Sequence, residues 1–235
     1  MNLLLLLPDD LVAEGRARLT GRRLAHVREV HRAALGDELA VGLLGGKMGK
    51  GRVLRLDDEA LELALILDEA PPPKLPLTLL IAVPRPKVLN RVVAAAASLG
   101  AARIILLNAW KVEKAYWASP RMKPENLREQ LLLGLEQAKD TGLPELRLAR
   151  LFRPFVEEEL PTLLEGGTGL LAHPGSGEPA PACLAVPVTL AIGPEGGWIE
   201  AEVQSLLKAG LNPLDLGPRI LRTETALAAL VGKLF

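Results

Sequence analysis

Cysteine is nearly absent. Cys183 stands alone among the 235 residues, so no disulfide framework can form within the chain and no cysteine-based zinc cluster can be built. Histidine is scarce as well: His26 and His31 fall early and His173 far along the chain. That spacing makes no metal site, and no metal is expected. Aromatic residues make up 3%. Trp110, Tyr116 and Trp117 form one small group, read as core or interface packing rather than as a surface for stacking bases. Long apolar runs are missing. Leu3 to Leu7 is apolar but spans only five residues, lacks a basic leader and ends at Pro8-Asp9-Asp10. It is too short for a signal-peptide core or a membrane span and reads as a buried strand. The expectation is a cytoplasmic protein with no membrane partner. Charge of one sign is missing too: the formal net charge is zero, which excludes a grossly basic nucleic-acid binder. No phosphate-binding lysine loop and no GxGxxG occur, so neither a nucleoside triphosphate nor NAD is indicated.

What is present is ordinary for a globular chain, 49% hydrophobic and 24% charged, with enough length for a sizeable core. The charge is unevenly spread. Arg16 to Arg55 holds ten Lys or Arg against three acids. Arg16, Arg18, Arg22, Arg23, Arg28, Arg32, Lys47 and Lys50 are therefore candidates to meet RNA phosphates. On charge alone a solvated face serves equally well.

The three consecutive prolines that open Pro71-Pro72-Pro73-Lys74-Leu75-Pro76 cannot sit inside a helix or a central strand. Residues 71–76 read as a stiff connector, with a small β domain at 1–70 and a larger domain at 77–235. In the first, Glu38 to Leu44 and Gly51 to Leu56 flank a Gly-Gly-Lys-Met-Gly-Lys turn, a hairpin with a basic tip. Leu61 to Leu67 reads as a further strand and Gly21 to Val30 as a helix. Beyond the prolines, strands and helices alternate. The strands are Leu77 to Val83, Arg103 to Asn108, Glu145 to Leu151, Gly169 to Ala172, Val188 to Ile192 and Pro213 to Leu216. The helices are Pro86 to Leu99, Pro124 to Lys139, Phe155 to Leu164, Glu200 to Ala209 and Thr223 to Phe235. Such alternation predicts an α/β fold with a parallel sheet.

Two segments carry the chemistry. In Val188-Thr-Leu-Ala-Ile-Gly-Pro-Glu-Gly-Gly197 an apolar strand ends in a glycine-rich loop before a helix. Glycine lets a ligand approach the main chain closely, and parallel folds bind ligands at the carboxyl ends of their strands. In Leu216-Gly-Pro-Arg-Ile-Leu-Arg-Thr-Glu-Thr-Ala226 a second short strand meets a Gly-Pro turn. Thr223 is placed to cap the last helix, with Glu224 at its positive end. Arg219 and Arg222 sit in the loop. Either segment alone is equally readable as a tight turn.

Together, IGPEGG and LGPRILRTETA resemble the bacterial 16S rRNA uracil-N3 methyltransferase family, of the SPOUT superfamily of trefoil-knotted methyltransferases. The resemblance runs the length of the chain. His26-Val-Arg-Glu-Val-His-Arg32 with Gly36-Asp37 is similar to the family's PUA-like RNA-binding barrel, and Leu171-Ala-His-Pro174 to its first cofactor motif. It implies a PUA-like β-barrel followed by an α/β SPOUT domain with a trefoil knot, a homodimer, and 16S rRNA or the small ribosomal subunit as partner. Its cofactor is S-adenosyl-L-methionine. Carried over by motif, the cofactor contacts are Leu171, Ala172 and His173, then Ile192, Gly193, Glu195, Gly196 and Gly197, then Leu216, Gly217, Ile220, Leu221 and Arg222. Two stretches depart from the family pattern: Ala94 to Ser98, where charged residues are usual, and Asp140, where an arginine is usual.

The chemistry implied is methyl transfer to the N3 imide of a uridine, a poor nucleophile while protonated. Arg222 is the candidate for stabilising charge on the uracil oxygens, and Glu195 or Glu224 for accepting the proton or orienting the base. The competing expectations are a SPOUT methyltransferase for another RNA site or a ribose 2'-hydroxyl, and an RNA-binding factor without catalysis.

Overall fold

The computed structural model describes residues 2–235. The chain divides into two compact units. One holds the chain up to Pro73 together with Leu132–Leu143, the other Lys74–Leu131 and Pro144–Phe235.

The first unit is built on a mixed six-stranded sheet in the order β1-β4-β5-β6-β3-β2. The strands are β1 (Leu4–Leu6), β2 (Leu11–Ala13), β3 (Arg16–Leu19), β4 (Glu38–Leu43), β5 (Met48–Leu56) and β6 (Leu61–Glu69). The apolar N-terminal run is indeed a buried strand, pairing parallel to β4 with Leu5 opposite Gly42. Strands β2 and β3 were not expected. Arg16-Ala-Arg-Leu alternates outward arginines with buried Ala17 and Leu19, the period of a half-buried strand hidden under a basic composition. The hairpin turn is tighter than expected. Strand β5 already begins at Met48, and Leu43 donates its N–H to the Lys47 carbonyl at 3.0 Å. Lys50 therefore lies within the strand, where it pairs with Glu38 at 2.8 Å, and is no part of the tip. Helix α1 (Gly21–His26) passes into one π-turn at Val27–His31 and stops at Arg32 in the left-handed region, φ 52°. The glycines of β5 are required by close approach: a Cβ on Gly49 would stand 2.0 Å from the Ile66 carbonyl oxygen.

The second unit is a six-stranded all-parallel sheet, β12-β10-β11-β7-β8-β9. In chain order it comprises β7 (Leu75–Ala82), α2 (Pro86–Ser98), β8 (Ala101–Leu107), α3 (Lys114–Trp117), the start of α4 (Pro124–Ala138, whose residues from Leu132 belong to the first unit), β9 (Glu145–Ala149), α5 (Phe152–Pro154), α6 (Leu160–Leu164), β10 (Thr168–Ala172), β11 (Val188–Ile192), α7 (Glu200–Lys208), β12 (Leu211–Leu214) and α8 (Thr223–Leu234). Strand β7 starts inside the stretch read as a connector. The central strands are buried on both sides, as parallel sheets covered by helices require: all five residues of β11 are buried. Pro213 is tolerated because β12 is an edge strand. The helix expected over Phe155 to Leu164 is a π-turn at Phe155–Glu159 leading into α6, with Pro161 near the start of α6, where its missing N–H costs nothing.

Both departures from the family pattern turn inward. Asp140 is buried and accepts the Gly142 N–H at 2.8 Å, closing the turn after α4 within the first unit. Ala96 and Ala97 are fully buried against the core of the second.

Replacing Gly49 by Ala forces its methyl into the β6 backbone, which cannot yield as a side chain can. Urea unfolding should register a loss of about 1–3 kcal/mol, and an unchanged midpoint would contradict the tight β5–β6 approach.

Candidate functional site

Three strands of the second unit end at one level. Ala172, the last residue of β10, is in register with Ile192 of β11 on one side and with Leu214 of β12 on the other. Adjacent strands lie about 4.8 Å apart, so the loops after β10, β11 and β12 leave the sheet side by side. Between them lies a cavity of about 490 Å³, within the ordinary range for small-molecule sites.

The cavity wall gathers most of the residues expected from sequence. Ala172 and His173 line it from the first loop; Ile192, Gly193, Glu195, Gly196 and Gly197 from the second; Leu216, Gly217, Ile220, Leu221 and Arg222 from the third. Leu171 does not: it is fully buried in the core, one residue before the strand end and so on the opposite face of the sheet from Ala172. Glu224 also stands off the wall. Its carboxylate pairs with Arg91 of α2 at 3.0 Å, tying the start of α8 to that helix. Thr223 is not the cap of α8 but its first helical residue. Arg222 holds the cap position with no side-chain hydrogen bond, and Thr223 is buried on the cavity wall.

Glu195 lines the wall, and its side chain accepts the Arg85 N–H at 2.9 Å. That bond fastens the glycine loop to the N-terminus of α2, where a carboxylate meets the positive end of the helix. Lys111 fastens it from another side, donating from Nζ to the Gly196 carbonyl at 2.6 Å. Glu202, buried in α7, completes the clamp. Its two oxygens accept the N–H groups of Ile199 at 3.1 Å and Trp110 at 2.7 Å.

Trp198 and Asp215 are among the wall residues that escaped the sequence reading. Trp198 is 6% exposed, and its Nε1 is buried without a hydrogen-bond partner. Its indole lies under Gly193, where any Cβ would come within 3.0 Å of that nitrogen. Asp215 joins the first loop to the third, accepting Gly175 N–H at 2.7 Å and Gly217 N–H at 2.5 Å. These main-chain bonds, Gly217 first, hold its carboxyl below the usual 3.8. The Asp-Leu-Gly-Pro string carries a signal for it, since Asp before a turn often bonds the backbone two residues on. Arg219 lies on the rim and has only the loop's basic character to mark it.

Of the proposed RNA-contacting side chains, Arg23 is committed to structure. It grips Asp10 through two nitrogens and donates to the Leu5 carbonyl at 3.0 Å. Arg22 forks onto the buried Glu136, Arg28 pairs with Asp58, and Arg16, Arg18, Arg32 and Lys47 are exposed. Burial of the Glu136 and Asp10 acids explains the first two: a buried carboxylate needs a cation. Among the described residues no cluster of metal-ligating side chains occurs and no helix is long and apolar enough to cross a membrane.

A family model for an RNA methyltransferase domain matches residues 71–234. A ribosomal RNA small subunit methyltransferase E of Treponema pallidum is 30% identical over 240 residues, covering 97% of this chain and 88% of that one. The chain belongs to this RNA methyltransferase family. A protein of the same description from Synechocystis is 28% identical over 226 residues, 95% of this chain and 73% of that one. The fold agrees. A ribosomal RNA small subunit methyltransferase E of Neisseria gonorrhoeae, solved bound to S-adenosylmethionine, superposes with a TM-score of 0.75 at 20% identity. The match covers 97% of this chain and 94% of that one. A Legionella pneumophila methyltransferase, solved with the same cofactor, gives 0.73 at 24% identity over 98% and 95%. The clamped loops thus belong to the methyltransferase domain.

The Asp215 link has a definite pH dependence. Its native pKa lies below its unfolded value, so its stabilisation is complete above about 3.8 and is lost as pH falls through the lowered native value. The stability gap between wild type and Asp215→Asn should accordingly be constant from pH 7 to about 5 and close under more acid conditions. A gap independent of pH would remove the carboxylate from the loop link.

Proposed function

We propose that this chain transfers the methyl group of S-adenosylmethionine to N3 of a uridine in the 16S rRNA of the small ribosomal subunit. The observation that carries the reading is the cavity at the matched ends of β10, β11 and β12, inside a chain of the rRNA methyltransferase family. Its residues suit that cofactor. Ile192, Leu214 and Leu216 offer apolar surface for an adenosine. Gly193, Gly196 and Gly197 put no side chain between the cavity and the main chain, and Arg219 supplies a cation for a carboxylate. When bound, the cofactor supplies an electrophilic methyl group on a sulfonium.

The chain's own work is to present an unpaired base and favour loss of its N3 proton. The base must leave its stack to reach a cavity of this kind. Arg222, exposed at the cap of α8, is the residue that stabilises negative charge on the uracil oxygens. Glu195 acts as a positioning residue through Arg85, and Glu224 holds α8 against α2 through Arg91. With both carboxylates so engaged, the imide proton passes to solvent.

The reading extends beyond the cavity. The resemblance carries a PUA-like RNA-binding barrel for the first unit, a trefoil knot in the second, a homodimer and a cytoplasmic setting. The mixed sheet with exposed Arg16 and Arg18 on β3 supports the RNA-binding part.

Nucleoside mass spectrometry of 16S rRNA treated with purified enzyme and cofactor should detect 3-methyluridine. A ribose-methylated product instead would overturn the position, and absence of any product the activity. Arg222→Ala should lower kcat by about 10²–10³-fold with cofactor affinity retained by calorimetry; near-normal turnover would remove Arg222 from the chemistry.

A further inference from the structure

Trp110 is 78% exposed, although indoles normally bury most of their area. It does not share the packing of its neighbours. Trp117 and Tyr116 lie half-buried against the core, with the Trp117 Nε1 donating to Asn108 at 2.8 Å. Trp110 is held out of the core by a backbone that is itself pinned. Its N–H donates to the buried Glu202 carboxylate at 2.7 Å. Before it, Asn108 still pairs with Ala149 at 2.9 Å, and after it Val112 closes a turn onto Ala109 at 3.0 Å. The indole therefore stands on a rigid base at the carboxyl end of β8.

The next residue links that base to the cavity. Lys111 reaches the Gly196 carbonyl, and Gly196 lines the cavity wall. Arg85, Lys111 and Lys114 are exposed on this part of the chain. The acids among them are already engaged: Glu195 by the Arg85 N–H, Glu202 by two N–H groups, and Glu113 by the Tyr116 hydroxyl at 2.8 Å. A fixed, solvent-facing indole with exposed Arg85, Lys111 and Lys114 near it in the chain offers single-stranded nucleic acid a π-face for a base and cations for its phosphates.

We propose that Trp110 stacks on an unpaired base of the RNA substrate beside the nucleotide that enters the cavity, holding the strand across its mouth. The inference rests on the RNA methyltransferase reading above and adds a substrate-positioning residue to it.

The test has two arms. In the first, wild type and Trp110→Phe are titrated with single-stranded oligouridylate and indole fluorescence is followed. Quenching in the wild type that is lost in Trp110→Phe is expected; equal quenching in both overturns the proposal. This arm needs no methyl transfer, so an inactive wild type would sink the activity reading and leave the stacking result standing. In the second arm, Trp110→Ala should raise KM for a small-subunit rRNA fragment about tenfold, the loss of one base–aromatic stack. kcat and cofactor affinity should hold, and Trp110→Phe should recover most of the loss. An unchanged KM, equal damage from Phe and Ala, or a fall in oligomeric mass with Trp110→Ala would each overturn it, the last by assigning the indole to a contact between copies.

Discussion

The parallel register around β10 is the constraint on which the site depends. Ala172 faces Ile192 on one flank and Leu214 on the other, so three loops far apart in sequence begin at a common level. A slip of one residue in either ladder would turn every side chain of that strand to the opposite face of the sheet and move its loop along the strand axis by about 3.3 Å. The core guards against this. Leu190 and Ala191 of β11 and Leu171 of β10 are fully buried, and their packing leaves no alternative alignment. Leu171 belongs to this scaffold and not to the cavity for the same reason.

Once the loops are side by side, main-chain hydrogen bonds hold their shape. With neither a disulfide nor a metal cluster among the described residues, the task falls to ionic side chains that bind backbone groups. Glu195 takes the Arg85 N–H, Lys111 the Gly196 carbonyl, Glu202 two N–H groups, and Asp215 the N–H groups of Gly175 and Gly217. Such charge-assisted bonds are stronger than neutral ones. They fix loops whose glycines would otherwise be mobile. This arrangement leaves few charged side chains free around the cavity, and those, Arg219 and Arg222, are cations at its rim. It also explains why a carboxylate in a motif is an ambiguous guide. Glu195 and Glu224 look like acid–base groups in the sequence and are bonded to Arg85 and Arg91 in the fold.

Much of the second unit was legible because its pattern is strong. Apolar runs such as Leu77–Val83 and Val188–Ile192 can only be buried strands at their length, and Leu89, Val92, Val93 and Ala96 mark one face of a helix. The first unit was harder to read. In Arg16-Ala-Arg-Leu the inward positions are Ala17 and Leu19, too short a run for alternation to stand out against the surrounding arginines. The same excess of positive charge hid a division of labour: Arg22 and Arg23 serve buried acids, Glu136 and Asp10, while Arg16 and Arg18 face solvent. Glu136 lies more than a hundred residues from Arg22, and no local pattern links them.

From the sequence alone came the alternation that makes a parallel sheet, the two glycine loops, and a pair of motifs specific enough to indicate a methyltransferase. These are local properties: hydrophobic period, turn chemistry and residue order survive in a linear string. Only the tertiary structure decided which motif residues face the cavity, that Trp198 and Asp215 belong to its wall, and that Trp110 stands in solvent while Trp117 packs inside. The reason is physical. Whether a carboxylate or an indole is free depends on which distant backbone groups come within hydrogen-bonding reach, and strand register sets that across the sheet.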